Sequence, residues 1–512
     1  MSAAEIAIDP GRVGLGTLRR IARERVAIRL GAEAWRRIET CHARLREAVA
    51  AGETIYGVNT GFGKLANTRI DAKDLATLQR NLILSHCTGS GPELGEEAVR
   101  LTLALKVIAL ARGHSGVRRE IVEILAALLN RGIMPCVPAK GSVGASGDLA
   151  PLAHLSAILI GVGEATHNGE RLPALEALRT AGLAPVALEP KEGLALINGT
   201  QVSTALALSA LFAAEDIFAA AIVAGALAVE AARGSSVPFD ARIHEVRGHR
   251  GQIDVAAVFR SLFAESGIMA EHGNRHRVQD PYSLRCQPQV MGALLDAMRF
   301  AAGTLTVEAN AVSDNPLIFP DDGDVLSGGN FHAEPVAIGA DLLAIALAEV
   351  GAMSERRIAF LVDASLSGLP PFLVETSGLN SGFMVAQIAA AALASENKTL
   401  AHPASVDSIP TAANQEDHVS MATFAARRLG EIADNVRGIV AIELMAAAQG
   451  LEFRRPHRSS PALEEAHALI RTRVARYGED RRFAEDIAEV KAMIAEGALT
   501  GFAAAILPSR TA

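Results

Sequence analysis

Alanine and branched aliphatic residues recur at helical spacing through the second half of this chain, and few folds can accommodate that pattern. In residues 336–366, Leu343, Leu347, Val350, Ile358 and Leu361 fall three, four or eight apart, with Glu349, Glu355 and Arg356 among them. In residues 421–453, Leu429, Ile432, Val436 and Ile439 repeat the rule while Arg427, Glu431, Asp434 and Arg437 take the other face. Aromatics make up only 4% of a chain that is half apolar, a balance that favours closely packed helices over sheets. The expected fold is mainly α, with a central bundle of long helices. Runs such as AQIAAAALA (386–394) leave wide apolar stripes that a lone subunit would expose, which predicts a homo-oligomer. Before residue 200 the pattern changes to short apolar segments between glycine-rich turns such as YGVNTGFGKL (56–65). The expected division is therefore a mixed N-terminal domain over 1–200, followed by the helical bundle and C-terminal helices over 201–512.

Charge and cysteine usage exclude several classes of function. Lys and Arg total 49 against 57 Asp and Glu, a net charge of −8 with no long run of one sign, so neither nucleic acid nor an anionic membrane is an expected partner. Cys41, Cys87, Cys136 and Cys286 are far apart and form no close metal-ligand spacing, so they read as reduced, small apolar residues and no metal is expected. The first residues, MSAAEIAIDPGR, lack the basic-then-apolar order of a signal peptide. The longest uncharged apolar run, FAAAIVAGALAV (218–229), is shorter than the about 20 residues of a membrane span. A cytoplasmic protein handling a small molecule is the expectation.

The stretch KGSVGASGDLAPLAH (140–154) holds Gly141, Gly144 and Gly147 just before an expected helix. A phosphate-cradling loop needs a lysine and a hydroxyl after its last glycine, and none follows Gly147. A dinucleotide fingerprint needs GxGxxG, whereas the spacing here is GxxGxxG. A nucleophile elbow needs GxSxG, and Gly144–Asp148 lacks the final glycine. A bland alternative is a tight turn with Asp148 capping the helix that follows. The remaining reading is chemical. With so little side-chain bulk, the Gly147 amide nitrogen can close a five-membered ring on the Ala145 carbonyl carbon. Loss of water from the ring and from the Ser146 side chain then leaves a methylene conjugated to a carbonyl, an electrophile that no standard side chain offers.

Here the sequence resembles the aromatic amino acid ammonia-lyases, which build a methylidene-imidazolone (MIO) cofactor from an internal Ala, Ser and Gly. The resemblance covers most of the chain, in the family's order: YGVNTGFG at 56, the GSVGASGDLAPLAH signature, NGT at 198, YSLRCQPQ at 282, NPL at 315, GGNFH at 328, LNSGFM at 379 and NQEDHVS at 414. It implies a MIO formed from Ala145, Ser146 and Gly147, no external cofactor, and a homotetramer with active sites shared between subunits. It further implies Tyr56 and Tyr282 as acid or base, Arg285 on the substrate carboxylate, Asn198 and Gln279 as polar contacts, and Phe331 beside the electrophile. Arg285 suits a carboxylate because its guanidinium is a planar fork.

Ser85 and His86 occupy the family's selectivity position in NLILSHCTGSG, and together with Glu416 they point to histidine as the substrate. A buried carboxylate facing the substrate ring makes sense if that ring carries an N–H, and little sense against a phenyl ring. The implied reaction is non-oxidative deamination of L-histidine to trans-urocanate and ammonia, with His86 and Glu416 gripping the imidazole. The alternative is the same cofactor applied to another aromatic amino acid, or to a 2,3-amino shift. Asp314, Asn315, His332 and His418 lie in the same motifs and carry no assigned role.

Overall fold

The computed structural model describes residues 4–271 and 278–510. It is mainly α, as the apolar spacing predicts, and its strands are all three or four residues long among the described residues. The chain divides into two compact units. The first comprises Met1–Ser209, Ala302–Asp341 and Pro403–Arg427, and the second Ala210–Ala301, Leu342–His402 and Arg428–Ala512. Residues 302–341 and 403–427, expected with the bundle, therefore belong with the N-terminal part of the chain. Helices Gln201–Ala231, Gln287–Ala309 and Glu334–Val362 each run across a division, and sequence periodicity continues along a helix whichever core its two ends serve.

Helix Glu96–Leu110 anchors the first unit and is buried at every residue from Ala98 to Leu110. A mostly apolar helix suits such a central place, and its buried Arg100 is satisfied by the carbonyls of Ile21, Glu24 and Val26. Short sheets trim this unit: Glu5–Ile8 runs parallel to Ala27–Leu30, and Glu164–His167 pairs antiparallel with both Ile133–Pro135 and Glu170–Pro173. A third pairing matters for the site. Ser90–Glu93 pairs antiparallel with Pro138–Lys140, with Ser90 opposite Lys140, so the segment after His86 is tied to the residues leading into the glycine-rich stretch.

In the second unit, helix Met384–Leu400 packs on Leu429–Glu452, which packs on Phe483–Ala495. The core of Leu429–Glu452 includes one fully buried ion pair. Glu443 accepts from Arg357 Nη2 (2.9 Å), from Arg357 Nε and from Ser354 Oγ (2.5 Å). Two charges removed from water persist only when each is satisfied by the other and by further hydrogen bonds.

Among the described residues three helices, Gln201–Ala231, Gln287–Ala309 and Glu334–Val362, are long and apolar enough to cross a membrane by length and composition. Counting only the uncharged run 218–229 understated this, because a helix holds its apolar character across occasional charges. In the first of these helices, 83% of the most apolar window is buried within the protein. Its acids have protein partners: Glu215 accepts from Ser509 N (2.7 Å) and Asp216 from Thr500 Oγ1 (2.9 Å).

Candidate active site

The glycine-rich stretch folds as its glycines require. Gly141, Gly144 and Gly147 have φ of 125°, 67° and 77°, the left-handed region that L side chains avoid. Space imposes the same demand, since a Cβ on Gly144 would lie 2.2 Å from Ser420 Oγ and one on Gly147 2.2 Å from the Gly199 carbonyl oxygen. The Gly147 backbone bridges Gly199, and Asp148 N donates to Gly199 O (2.8 Å). The loop is thus pressed against the NGT segment.

Asp148 precedes helix Leu149–Ala157 but does not cap it with its side chain. Its carboxylate instead accepts from Ser203 N (2.8 Å) and Ser203 Oγ (3.0 Å) on one oxygen and from Thr423 Oγ1 (2.6 Å) on the other. Full burial pushes its pKa up, against the pull of those donors. With its proton committed to Asp148, Thr423 Oγ1 accepts from Ser142 Oγ (2.9 Å), and Ser142 Oγ accepts in turn from Gly144 N (3.1 Å). Two distant segments, around Gly199–Ser203 and Thr423, therefore hold the loop from behind.

Ser146, between the glycines, has a partner for each of its oxygens. Its hydroxyl donates to Glu416 Oε1 (2.8 Å), and its carbonyl accepts from Asn198 Nδ2 (2.7 Å). The second oxygen of Glu416 accepts from Thr411 Oγ1 (2.7 Å), and Thr411 N donates to Glu416 O (2.9 Å). Between these two residues Ala412, Ala413 and Asn414 take φ of 48°, 53° and 64°. Three consecutive left-handed residues are costly without glycine, and such strain concentrates at functional loops.

His86, the last residue of helix Leu75–His86, has its Nδ1 2.7 Å from Leu82 O. A carbonyl only accepts, so Nδ1 carries the proton and Nε2 is left as an acceptor. Burial lowers the pKa of His86, outweighing the carbonyl of Leu82 and the charge of Glu416, so the ring stays neutral. Buried Gln79 on the same helix donates to Gly57 O (3.0 Å) and accepts from Leu194 N (3.1 Å), linking the Tyr56 loop to the helix that ends at Asn198. Tyr56 OH accepts from Gly63 N (3.0 Å), and the turn 63–65 packs on the turn 412–414. The Phe331 turn joins through its neighbour, as His332 Nε2 lies 3.3 Å from His418 O and the two imidazoles stack at 5.8 Å. Ala145, Ser146, Gly147, Asn198 and Glu416 thus meet directly, with the segments of Tyr56, His86 and Phe331 around them.

Gln279, Tyr282 and Arg285 belong to the second unit and line a cavity of about 1150 Å³ there. The expected loop at Tyr282 is a helical turn, Tyr282–Arg285. The Arg285 guanidinium lies 4.7 Å over the exposed Tyr282 ring, and its buried Nε has no hydrogen-bond partner among the described residues. A forked cation lining a cavity is equipped to take a carboxylate.

Thr423 and Gln79 escape the sequence reading, because a hydroxyl or amide that bonds across such chain separations leaves no local pattern. Against the expectation of no metal, His332, Glu334 and His418 each offer a ligand atom within 4.8 Å of the others. Glu334 opens helix Glu334–Val362, where the positive end of the helix dipole opposes a cation.

Comparison with known proteins covers nearly the whole chain. The family described as aromatic amino acid lyase matches residues 13–472. A histidine ammonia-lyase of Burkholderia pseudomallei (strain 668) is 62% identical over 493 residues, covering 96% of this chain and 97% of that one. The crystal structure of histidine ammonia-lyase from Trypanosoma cruzi superposes with a TM-score of 0.91 at 41% identity, covering 99% and 96% of the two chains. A tyrosine aminomutase from Streptomyces globisporus gives 0.92 at 36% identity, covering 98% of each. By that family match across residues 13–472 and that identity over nearly its whole length, the chain belongs to the aromatic amino acid lyase family.

Proposed function

We propose that the chain deaminates L-histidine without oxidation, giving trans-urocanate and ammonia, at an electrophile made from its own Ala145, Ser146 and Gly147. The observation that carries this reading is the pair of bonds at Ser146, hydroxyl to Glu416 and carbonyl from Asn198. The residues fit a methylidene-imidazolone ring: side-chain atoms are excluded at Gly144 and Gly147, while the Ser146 hydroxyl faces a carboxylate. Ring closure joins Gly147 N to Ala145 C and releases the Ala145 oxygen as water, and the Ser146 hydroxyl leaves with its Cα proton as a second. When formed, the ring supplies an electrophilic methylene conjugated to the Ser146 carbonyl.

The chain's own residues do the rest. Asn198 Nδ2 donates to the Ser146 carbonyl oxygen, where a fixed donor stabilises developing negative charge. Glu416 loses one donor when the Ser146 hydroxyl leaves, and its Oε1 becomes free for a substrate N–H. His86 Nε2 is an acceptor nearby, so the neutral histidine and the carboxylate together suit an imidazole that carries N–H, and a phenyl ring would satisfy neither. Tyr56 OH accepts from Gly63 and keeps its own proton to donate, which suits an acid–base role, and Tyr282 is the second candidate. Arg285 and Gln279 hold the carboxylate, and Phe331 excludes water from the ring.

We further propose a homotetramer with shared sites. Exposed apolar residues recur seven apart on two helices, Phe300 with Val307 and Ile338 with Ile345, and Met384, Val385 and Ile388 add to them. The same reading puts the protein in the cytoplasm, with the apolar helix Gln201–Ala231 serving a protein core.

Incubation of purified protein with L-histidine, L-tyrosine and L-phenylalanine, followed by ultraviolet absorbance and ammonia release, tests the reading. Urocanate from histidine alone, lost in Ser146→Ala, is the expected result. A β-amino acid product, or turnover that survives Ser146→Ala, would overturn it.

A further inference from the structure

Lys106 is a lone cation in the otherwise uncharged run LTLALKVIAL and lies in the fully buried part of helix Glu96–Leu110. It is 1% exposed. Its Nζ donates to Ala195 O (3.1 Å) and Asn198 O (3.0 Å). Both carbonyls lie at the C-terminal end of helix Glu192–Ile197, where the backbone leaves acceptors without helical partners and the dipole favours a cation. Asn198 N donates to Leu194 O (2.9 Å), so the main chain of Asn198 is held on its amide side by the helix and on its carbonyl side by Lys106. Only its side chain reaches the site, through the bond to Ser146 O (2.7 Å).

We propose that Lys106 is a positioning residue for the Ser146 electrophile, clamping the Asn198 carbonyl so that the Asn198 amide is aimed at the Ser146 carbonyl oxygen. The inference rests on the proposed function and adds a residue to it. The ionisable groups around Lys106 are Asp314, Lys191 and Asp148. Asp314 is committed to Lys191 Nζ (2.6 Å) and Ser115 Oγ (2.9 Å), and Asp148 to Ser203 and Thr423. The lysine therefore has carbonyls rather than a carboxylate as its partners, and burial pushes its pKa down to about 7. A neutral amine still carries two N–H groups, one for each carbonyl, so the clamp survives deprotonation. If packing alone were needed in this apolar helix, methionine would fill the volume without the cost of burying an ammonium.

A double-mutant cycle on the full-length protein tests the assignment, using wild type, Lys106→Met, Asn198→Ala and the double variant. Each is measured for thermal melting, intact mass, and kcat and KM with L-histidine. Loss of an aimed donor costs on the order of 10²-fold in kcat, so Lys106→Met should fall by about 10- to 100-fold with KM little changed. Asn198→Ala should fall at least as far, and the double variant no further than the worse single one, because both remove the same contact. Intact mass gives a second readout, with a mixture of cyclised and uncyclised chains expected in Lys106→Met. Multiplicative losses, a change in KM alone, or wild-type kcat with full cyclisation would overturn the proposal. If Lys106→Met fails to fold, Lys106→Gln, which keeps a donor, enters the same cycle. Failure of both to fold would overturn the positioning role in favour of a structural lysine. A wild type that neither shows the mass deficit nor makes urocanate would instead sink the functional reading.

Discussion

Replacing Glu416 with glutamine separates two roles of one carboxylate. In the uncyclised chain Glu416 accepts from Ser146 Oγ at 2.8 Å and from Thr411 Oγ1 at 2.7 Å. Glutamine has nearly the same shape, and the Thr411 hydroxyl can turn to donate to its oxygen or accept from its nitrogen, so stability should change little. What disappears is the charge. A hydrogen bond from a substrate N–H to a carboxylate is worth about 1.5–3 kcal/mol, against about 0.5–1.5 for a neutral acceptor. The difference of about 1–2 kcal/mol corresponds to roughly 5- to 30-fold in kcat/KM, appearing mainly in KM if Glu416 only grips the imidazole. A carboxylate that also moves a proton adds a factor of about 10²–10⁴ in kcat. Initial rates of urocanate formation over a range of histidine concentrations resolve the two cases. Rates and KM equal to wild type would refute any contact between Glu416 and the substrate ring.

Other substitutions reach different parts of the account. Gly147→Ala puts a Cβ 2.2 Å from Gly199 O at φ 77°, so the variant should keep the full unmodified mass and make no urocanate. Arg285→Met should raise the KM for histidine more than it lowers kcat, and an unchanged KM would remove Arg285 from carboxylate binding. Glu443→Gln leaves the buried Arg357 without its counter-charge and should destabilise the protein by about 3–5 kcal/mol in denaturant titration. Glu230 tests the pH dependence. Burial raises its pKa to about 7, despite donors from Ser266 and Ser459. A carboxyl group whose folded pKa exceeds its unfolded value of about 4.3 stabilises fully below that value, and the contribution is lost as pH rises through about 7. The melting temperature of wild type should therefore drop over that window more than that of Glu230→Gln, and parallel profiles would contradict the assignment.

Some of this site was legible in the sequence because the chemistry restricts residue type. A backbone at φ 67° and 77° with no room for a Cβ leaves only glycine, so Gly144 and Gly147 announce themselves. Helical spacing likewise exposed Glu334–Val362 and Leu429–Glu452, since one buried stripe must recur every turn. The capping alternative for Asp148 does not hold, and in sequence an aspartate before a helix looks the same whether it caps that helix or turns inward to Ser203 and Thr423. The strained turn Ala412–Asn414 was invisible, as alanine gives no hint of a left-handed backbone. The return of residues 302–341 and 403–427 to the first unit is set by long-range packing, which no local pattern encodes. Lys106 did leave a trace, a single cation among apolar neighbours, though not the identity of the carbonyls it serves.

The central claim is that Ala145, Ser146 and Gly147 are no longer three ordinary residues in the working protein. Intact-mass spectrometry of freshly purified, active material tests it most directly, alongside Ser146→Ala. The account predicts a wild-type mass lower than the translated sequence by two water molecules, with the deficit localised to a peptide spanning residues 145–147. An active protein at its full unmodified mass would contradict it.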